Sequence, residues 1–334
     1  MATRTSLTYG AVPGLRFACV LDGSGGCIDL DWDGVRRWKA EDGTLWVHLE
    51  RDDADAQNWL RNDSGVDPVI ADALLAAESR PRVEEQDDAL LVFLRGVNRN
   101  AKEDPYDLVP IHMWISANRL ISLRDKAVYL LALRDIREAL AIGRGPRTVG
   151  ELFVLIGEKV VKYVEPILDE LDEEADRLDE EAIDGIDDDW RAPLAGLRRR
   201  AIELRRYLSP QREALFRLQV EEAIWLNRRD RVHLREITDR VMRYVEGLDV
   251  IRDRATILHE DMTAQIAERI SRTSNRLTAI AAIFLPPSLV AGIFGMNLSG
   301  IPAHEHELAF GIVSAVIITL MAVEAWILRR MRWI

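Results

Sequence analysis

The residues with most to offer chemically lie near the C-terminal end of the 334-residue chain. Gly295, Met296 and Asn297 close one apolar run, and His304, Glu305, His306 and Glu307 precede a second. The neutral amide oxygen of Asn297 can accept hydrogen bonds from the water shell of a hydrated cation. Imidazoles suit zinc and other transition metals, whereas magnesium prefers oxygen ligands and water. Two histidines in four residues therefore tilt this loop toward zinc, the alternative being a solvated loop in which they merely cluster. Glu324 is the one ionisable group within the second run. An acid in that setting could carry a proton, or could snorkel or pair toward Arg329.

The elements that must position these residues are two helices. Leu277 to Phe294 contains no charged side chain, and Leu308 to Leu328 contains only Glu324. Each is close to the ~20 residues an α-helix needs to cross a bilayer. The linker between them is too short to fold alone, so a transmembrane hairpin is expected. Its boundaries are read as 277–297 for the first span, 298–307 for the outer loop, 308–328 for the second span and 329–334 for a basic tail. Arg269, Arg272 and Arg276 precede the first run, and Arg329, Arg330 and Arg332 follow the second, while the tip carries no basic residue. By the positive-inside rule both termini are cytoplasmic and the tip faces outward, with Trp333 as an interfacial anchor. If the first span lines a pore, helical spacing names Ser274, Leu277, Ala281, Leu285 and Ser288 as its lining. Such a wall is sparse in charge and suits a dication that keeps part or all of its water. Gly295 would let the backbone turn at the helix end.

Composition narrows the remaining choices. Lys and Arg total 44 against 56 Asp and Glu, a formal net charge of −12, so no basic surplus exists to neutralise nucleic-acid phosphates. Cys19 and Cys27 fall in neither a C-x-x-C nor a longer metal-finger pattern, and are read as reduced thiols with no fixed structural metal site. The first residues lack an apolar core of signal-peptide type. No phosphate-cradling glycine loop and no Ser-His-Asp order is present, so neither an enzymatic activity nor a cofactor is expected.

Residues 1–147 read as a mixed α/β domain, with strands expected at Arg16–Leu21, Leu45–Leu49, Ala89–Arg95, Leu108–Ser116 and Arg119–Arg124. Ala54–Asn62 and Pro68–Ala77 read as helices. Thr148 and Glu151 have capping-box spacing and open a helix expected to reach about Ile183. That helix carries an acidic run from Asp169 to Glu181, read as a solvated face or as a metal-concentrating surface. Ser209-Pro210 has the look of a helix start. Beyond it Leu234, Ile237, Val241, Tyr244, Leu248, Ile251, Ala255, Leu258 and Met262 alternate steps of three and four, the pattern of a long packed helix. Residues 148–276 are therefore a helical hairpin and stalk, and a stalk helix with nothing of its own to cover it predicts a homo-oligomer. His48, His112, His233 and His259 are scattered and are read as structural.

Gly-Met-Asn closing the first of two C-terminal helices, flanked by Ile283-Phe284-Leu285-Pro286 and Gly300-Ile301-Pro302, resembles the CorA family of divalent-cation transporters. The stretch Glu78 to Asp88 leading into Leu90–Arg95 looks like that family's cytoplasmic-domain signature, and the tail Arg329 to Ile334 resembles its basic tail. The Asn-Leu-Ser-Gly-Ile-Pro continuation looks more like the zinc-transporting ZntB branch than the magnesium branch. The resemblance implies a funnel-shaped homopentamer of the inner membrane. It makes Gly295, Met296 and Asn297 the selectivity filter, and Arg329, Arg330 and Arg332 a positive collar at the pore mouth. Transported Zn2+ is favoured over Mg2+, with proton-coupled uptake as one route. A magnesium channel gated by intracellular magnesium, and a non-conducting membrane-anchored scaffold or sensor, are the alternatives.

Overall fold

The computed structural model describes residues 13–77, 80–86, 88–98, 106–125, 130–184, 190–220, 223–296 and 308–330. The chain divides into two units, Met1–Ile257 and Leu258–Ile334.

The first unit is built on a seven-stranded mixed sheet. Its strands are β1 (Leu15–Leu21), β2 (Cys27–Leu30), β3 (Leu45–Glu50), β4 (Arg82–Gln86), β5 (Ala89–Val97), β6 (Leu108–Ser116) and β7 (Arg119–Arg124). They lie in the order β2-β1-β3-β7-β6-β5-β4, antiparallel throughout except for the parallel pair β3–β7. Strand β5 is nearly continuous in Leu, Val and Phe and almost wholly buried, as a strand covered on both faces must be. One cover consists of α1 (Trp32–Arg37), α2 (Ala54–Asn58) and α3 (Pro68–Leu75), with a π-type turn at Trp59–Asp63. Trp59, Leu60, Ile70 and Leu74 pack there against Val47, Phe93 and Ile121. On the sheet's far side run α4 (Leu131–Ala141), α5 (Val149–Lys162) and α7 (Arg191–Val220), with α5 against β5 and β7 and α7 against β4 and β5.

Local chemistry sets the helix ends. Thr148 Oγ1 accepts from the Glu151 amide at 3.2 Å, but the Glu151 carboxylate reaches the Arg147 amide, one residue outside a standard capping box. The expected single helix to Ile183 is in fact two. It breaks at Tyr163 and Val164, and α6 (Glu165–Asp184) restarts with Pro166 in its first turn, where a missing amide costs no helical bond. A second correction concerns Ser209-Pro210, which starts nothing: Pro210 lies inside α7. The buried stripe Leu194, Leu197, Ala201, Leu204, Leu208, Gln211, Leu215 and Leu218 runs straight through it, so packing on both sides outweighs one lost backbone bond. The next helix, α8 (Arg228–Phe294), begins instead at a reciprocal cap. The Asp230 amide donates to Asn227 Oδ1 at 2.9 Å, and the Asn227 amide donates to Asp230 Oδ2 at 3.1 Å.

The stalk is less bare than its pattern suggested. Leu234, Ile237, Val241, Leu248, Ile251 and Ala255 are buried within this one chain, against the helices of their own unit. Arg205 of α7 meets Asp249 at 2.6 Å, and the side chain of Gln219 donates to Thr238 Oγ1 at 2.7 Å. Those residues therefore give no argument for partner copies. The acidic face of α6 is also largely spoken for. Asp172, Asp176 and Asp179 all meet Arg254 of α8, at 3.3, 2.6 and 2.5 Å, and Glu174 pairs with Arg200 at 2.5 Å. These bridges tie helix to helix, a structural reading of that run.

Candidate ion pathway

In the second unit the described helices are the C-terminal half of α8 and α9 (Ala309–Arg330). Both are long and apolar enough to cross a membrane, and their apolar stretches are almost unburied. Two of their hydroxyls are satisfied within the helix: Ser288 Oγ donates to the Phe284 carbonyl at 2.7 Å and Thr319 Oγ1 to that of Ala315 at 2.8 Å. Internal satisfaction of polar groups is what hydrocarbon surroundings require.

Burial distinguishes one face of each helix. On α8, Ala279 and Pro287 are buried and Ile283, Pro286 and Val290 are half-buried, a stripe with steps of three and four. On α9, Val313, Ile317, Leu320, Glu324 and Leu328 form a matching half-buried stripe. Ser274, Leu277, Ala281, Leu285 and Ser288 share one exposed face of α8. At ~100° per residue that face is turned about 180° from the buried stripe. The residues named for a pore wall thus lie opposite the more buried stripe of α8.

Glu324 sits in the half-buried stripe of α9, and its Oε2 is shielded, with no hydrogen-bond partner among the described residues. Arg329 and Arg330 are exposed in the last turn, and the Arg330 guanidinium lies 5.5 Å from the Trp326 ring, a contact that anchors an interfacial arginine. Arg269, Arg272 and Arg276 are exposed on α8, Arg272 pairing with Glu268 at 2.6 Å.

The C-terminal end of α8 and the Gly295-Met296-Asn297 stretch beyond it fall only partly within the described residues. Helix α8 ends at Phe294, short of the expected 297; the Gly295 amide still donates to the Ala291 carbonyl at 2.9 Å and that of Met296 to Ile293 at 3.4 Å. Gly295 is not among the glycines with positive φ. A Cβ there would lie 3.1 Å from the Ala291 carbonyl oxygen, a tight contact that a small shift of the backbone would relieve. Asn297, the loop residues His304, Glu305, His306 and Glu307, and Arg332 in the tail lie outside the described residues.

The buried histidines of the first unit are structural. His112 Nδ1 lies 2.6 Å from the Leu74 carbonyl, and His48 Nδ1 lies 2.9 Å from Ser122 Oγ, which also accepts from the Trp46 indole at 3.0 Å. Burial lowers the pKa of His112 to about 4, and burial likewise holds that of His48 well below the usual imidazole range. What sequence reasoning missed is a juxtaposition: Cys19, Cys27 and Asp29 present ligand atoms within 4.8 Å of one another.

Comparison with known proteins places the chain. The family described as CorA-like Mg2+ transporter protein matches residues 41–330. The divalent cation transporter CmaX of Pseudomonas aeruginosa is 34% identical over 96% of this chain and 97% of its own length. The zinc transport protein ZntB of Photorhabdus laumondii is 32% identical over 95% of each. The structure of full-length CmaX superposes with a TM-score of 0.84 at 33% identity, covering 98% of this chain and 100% of that one. The CorA magnesium transporter of Methanocaldococcus jannaschii shares the fold, with a TM-score of 0.79 at 21% identity over 95% of this chain and 98% of its own. With a family match across most of its length, this chain belongs to the CorA-like transporter family.

Proposed function

We propose that the chain moves divalent cations across the inner membrane as a homopentamer, with zinc as the favoured cargo. The observation that carries this reading is the open face of α8: Ser274, Leu277, Ala281, Leu285 and Ser288 lie opposite its more buried stripe. Copies arranged around an axis would turn that face inward and leave α9 to meet lipid. The wall so formed has no charge, so the ion keeps its water, and a ring of Asn297 amides at the outer mouth selects for the hydrated dication. His304, Glu305, His306 and Glu307 capture the ion outside, and Arg329, Arg330 and Arg332 form a basic collar at the cytoplasmic end, with both chain termini on that side. Zinc is favoured by the imidazoles of the loop and by similarity to proteins named as zinc transporters.

Proton coupling has its own support in Glu324. Its Oε2 is shielded on an apolar helix with no hydrogen-bond partner among the described residues, and ionisable residues within membrane helices commonly mark proton and ion paths.

Uptake into proteoliposomes holding the purified full chain tests the proposal. Zn2+ uptake that rises with an inward proton gradient and falls to background in Asn297→Ala is the expected result. Mg2+ flux indifferent to protons would move the assignment to a magnesium channel. No flux of either ion, with a related transporter conducting under the same conditions, would leave a non-conducting scaffold.

A further inference from the structure

The β1–β2 hairpin brings both cysteines of the chain to one place. In its register Cys19 stands opposite Asp29, and Cys27 opposite Leu21, so Cys19, Cys27 and Asp29 project from the same face. Strand β2 is the sheet's edge, which leaves Asp29 exposed and Cys27 half-buried while Cys19 is fully covered. The turn joining the strands is fixed by Asp22, whose Oδ1 accepts from the amides of Ser24 at 2.7 Å and Gly26 at 2.9 Å. From α4, Arg137 reaches over the cluster. One guanidinium nitrogen lies 3.2 Å from Cys27 Sγ and another 2.6 Å from Asp29 Oδ1, with the guanidinium 4.7 Å from the Phe17 ring.

We propose that Cys19, Cys27 and Asp29 form a binding site for a soft divalent cation of the zinc class. Two sulfurs and a carboxylate oxygen within 4.8 Å of one another need close by about 1 Å to match the ~3.3–3.8 Å ligand separations of a tetrahedral zinc site. A disulfide fits worse. Diagonal neighbours on antiparallel strands have Cα atoms about 7–8 Å apart, beyond the ~6.8 Å that a disulfide tolerates. An ion replaces the single S–S bond with two sulfur–metal bonds and spans the gap. The charges also close: two thiolates and a carboxylate balance a dication plus the Arg137 guanidinium. Arg137 then stays outside the coordination sphere, donating to the Cys27 sulfur and holding Asp29 Oδ1 so that Oδ2 is left for the ion. The exposed side of Asp29 and Cys27 supplies the entry path and a fourth position for water. The site lies wholly in the first unit, and its existence does not depend on the ion pathway proposed above.

The test is titration of reduced full-length protein with Cd2+, followed by thiolate-to-cadmium charge-transfer absorption. The chain has two cysteines, so such a band reports on this pair alone. The expected result is saturation at one ion per chain, with displacement by Zn2+. Cys27→Ser should abolish the band, and Asp29→Asn should weaken apparent affinity about tenfold or more. Asn297→Ala should leave it unchanged, which separates this site from the pathway. Both of these β2 variants sit on an edge strand, so they carry the test even if Cys19→Ser fails to fold. The absence of a band while both thiols still react with a thiol reagent would overturn the site. Unaltered affinity in Asp29→Asn would also overturn it.

Discussion

His112 shows how little a side chain's chemistry reveals about its use. Its ring is 1% exposed, stacks edge-on with Phe93 at 4.8 Å and spends Nδ1 on the Leu74 carbonyl at the end of α3. Burial keeps it neutral, with a pKa of about 4 against 6.5 in the unfolded chain. The unfolded state therefore binds the extra proton first. The contribution is fully present above pH 6.5 and is lost as pH falls toward 4, on the order of 2 kcal/mol by pH 5. Thermal unfolding of the full chain should show a lower midpoint at pH 5 than at pH 7.5, and His112→Gln should shrink that difference. An equal difference in the variant would assign the acid sensitivity elsewhere. Glu324 is the opposite case, an acid whose position asks for a proton-linked role. Glu324→Gln is expected to keep Zn2+ uptake without a gradient and to lose its stimulation by an inward one. Stimulation that survives the substitution would reduce Glu324 to an interfacial snorkeller.

Among the elements, the join between α5 and the start of α8 is closely packed. A Cβ on Gly150 would lie 2.8 Å from the Trp225 carbonyl and closer still to the Asp230 carboxylate, the same carboxylate that caps α8 at Asn227. Gly150→Ala should destabilise the chain by about 1–3 kcal/mol, read as a shift in denaturant midpoint at unchanged slope. An unshifted midpoint would show that the cap can move aside. Elements whose periodicity and burial agree were legible from sequence: five of the seven strands and the apolar runs fall close to where alternation and length put them. Strands β2 and β4 were not. Cys27–Leu30 is four residues long, and Arg82–Gln86 is mostly charged, so neither carries an apolar alternation to read. Pro210 misled for a related reason, since a local breaker says nothing of the buried stripe on either side of it. The cysteine cluster was invisible because it is made by the register of β2, an unread strand, and by Arg137 arriving from α4.

At the scale of the whole molecule, the contrast lies between covered and uncovered helix. Helix α8 is buried along one face as far as Ala255 and again at Met262, whereas Ile270, Leu277, Ile280, Leu285 and Leu289 are all more than half exposed. Lipid can cover that surface on every side, and so can other copies, but only the second arrangement makes the two faces of α8 unlike. Single cysteines placed in a Cys27→Ser background, with the fully buried Cys19 left in place, at Leu277, Ala281, Leu285 and Ser288 should react with a small water-soluble thiol reagent in intact membranes. Cysteines at Ala279, Ile283 and Val290, on the more buried side, should not. Divalent cation in excess should slow the reaction at Ser288, the position nearest the mouth, if the ion and the reagent share one aqueous path. Equal reactivity on both faces would mean that α8 lines no water-filled space, and that the open stripe is only a lipid-facing surface.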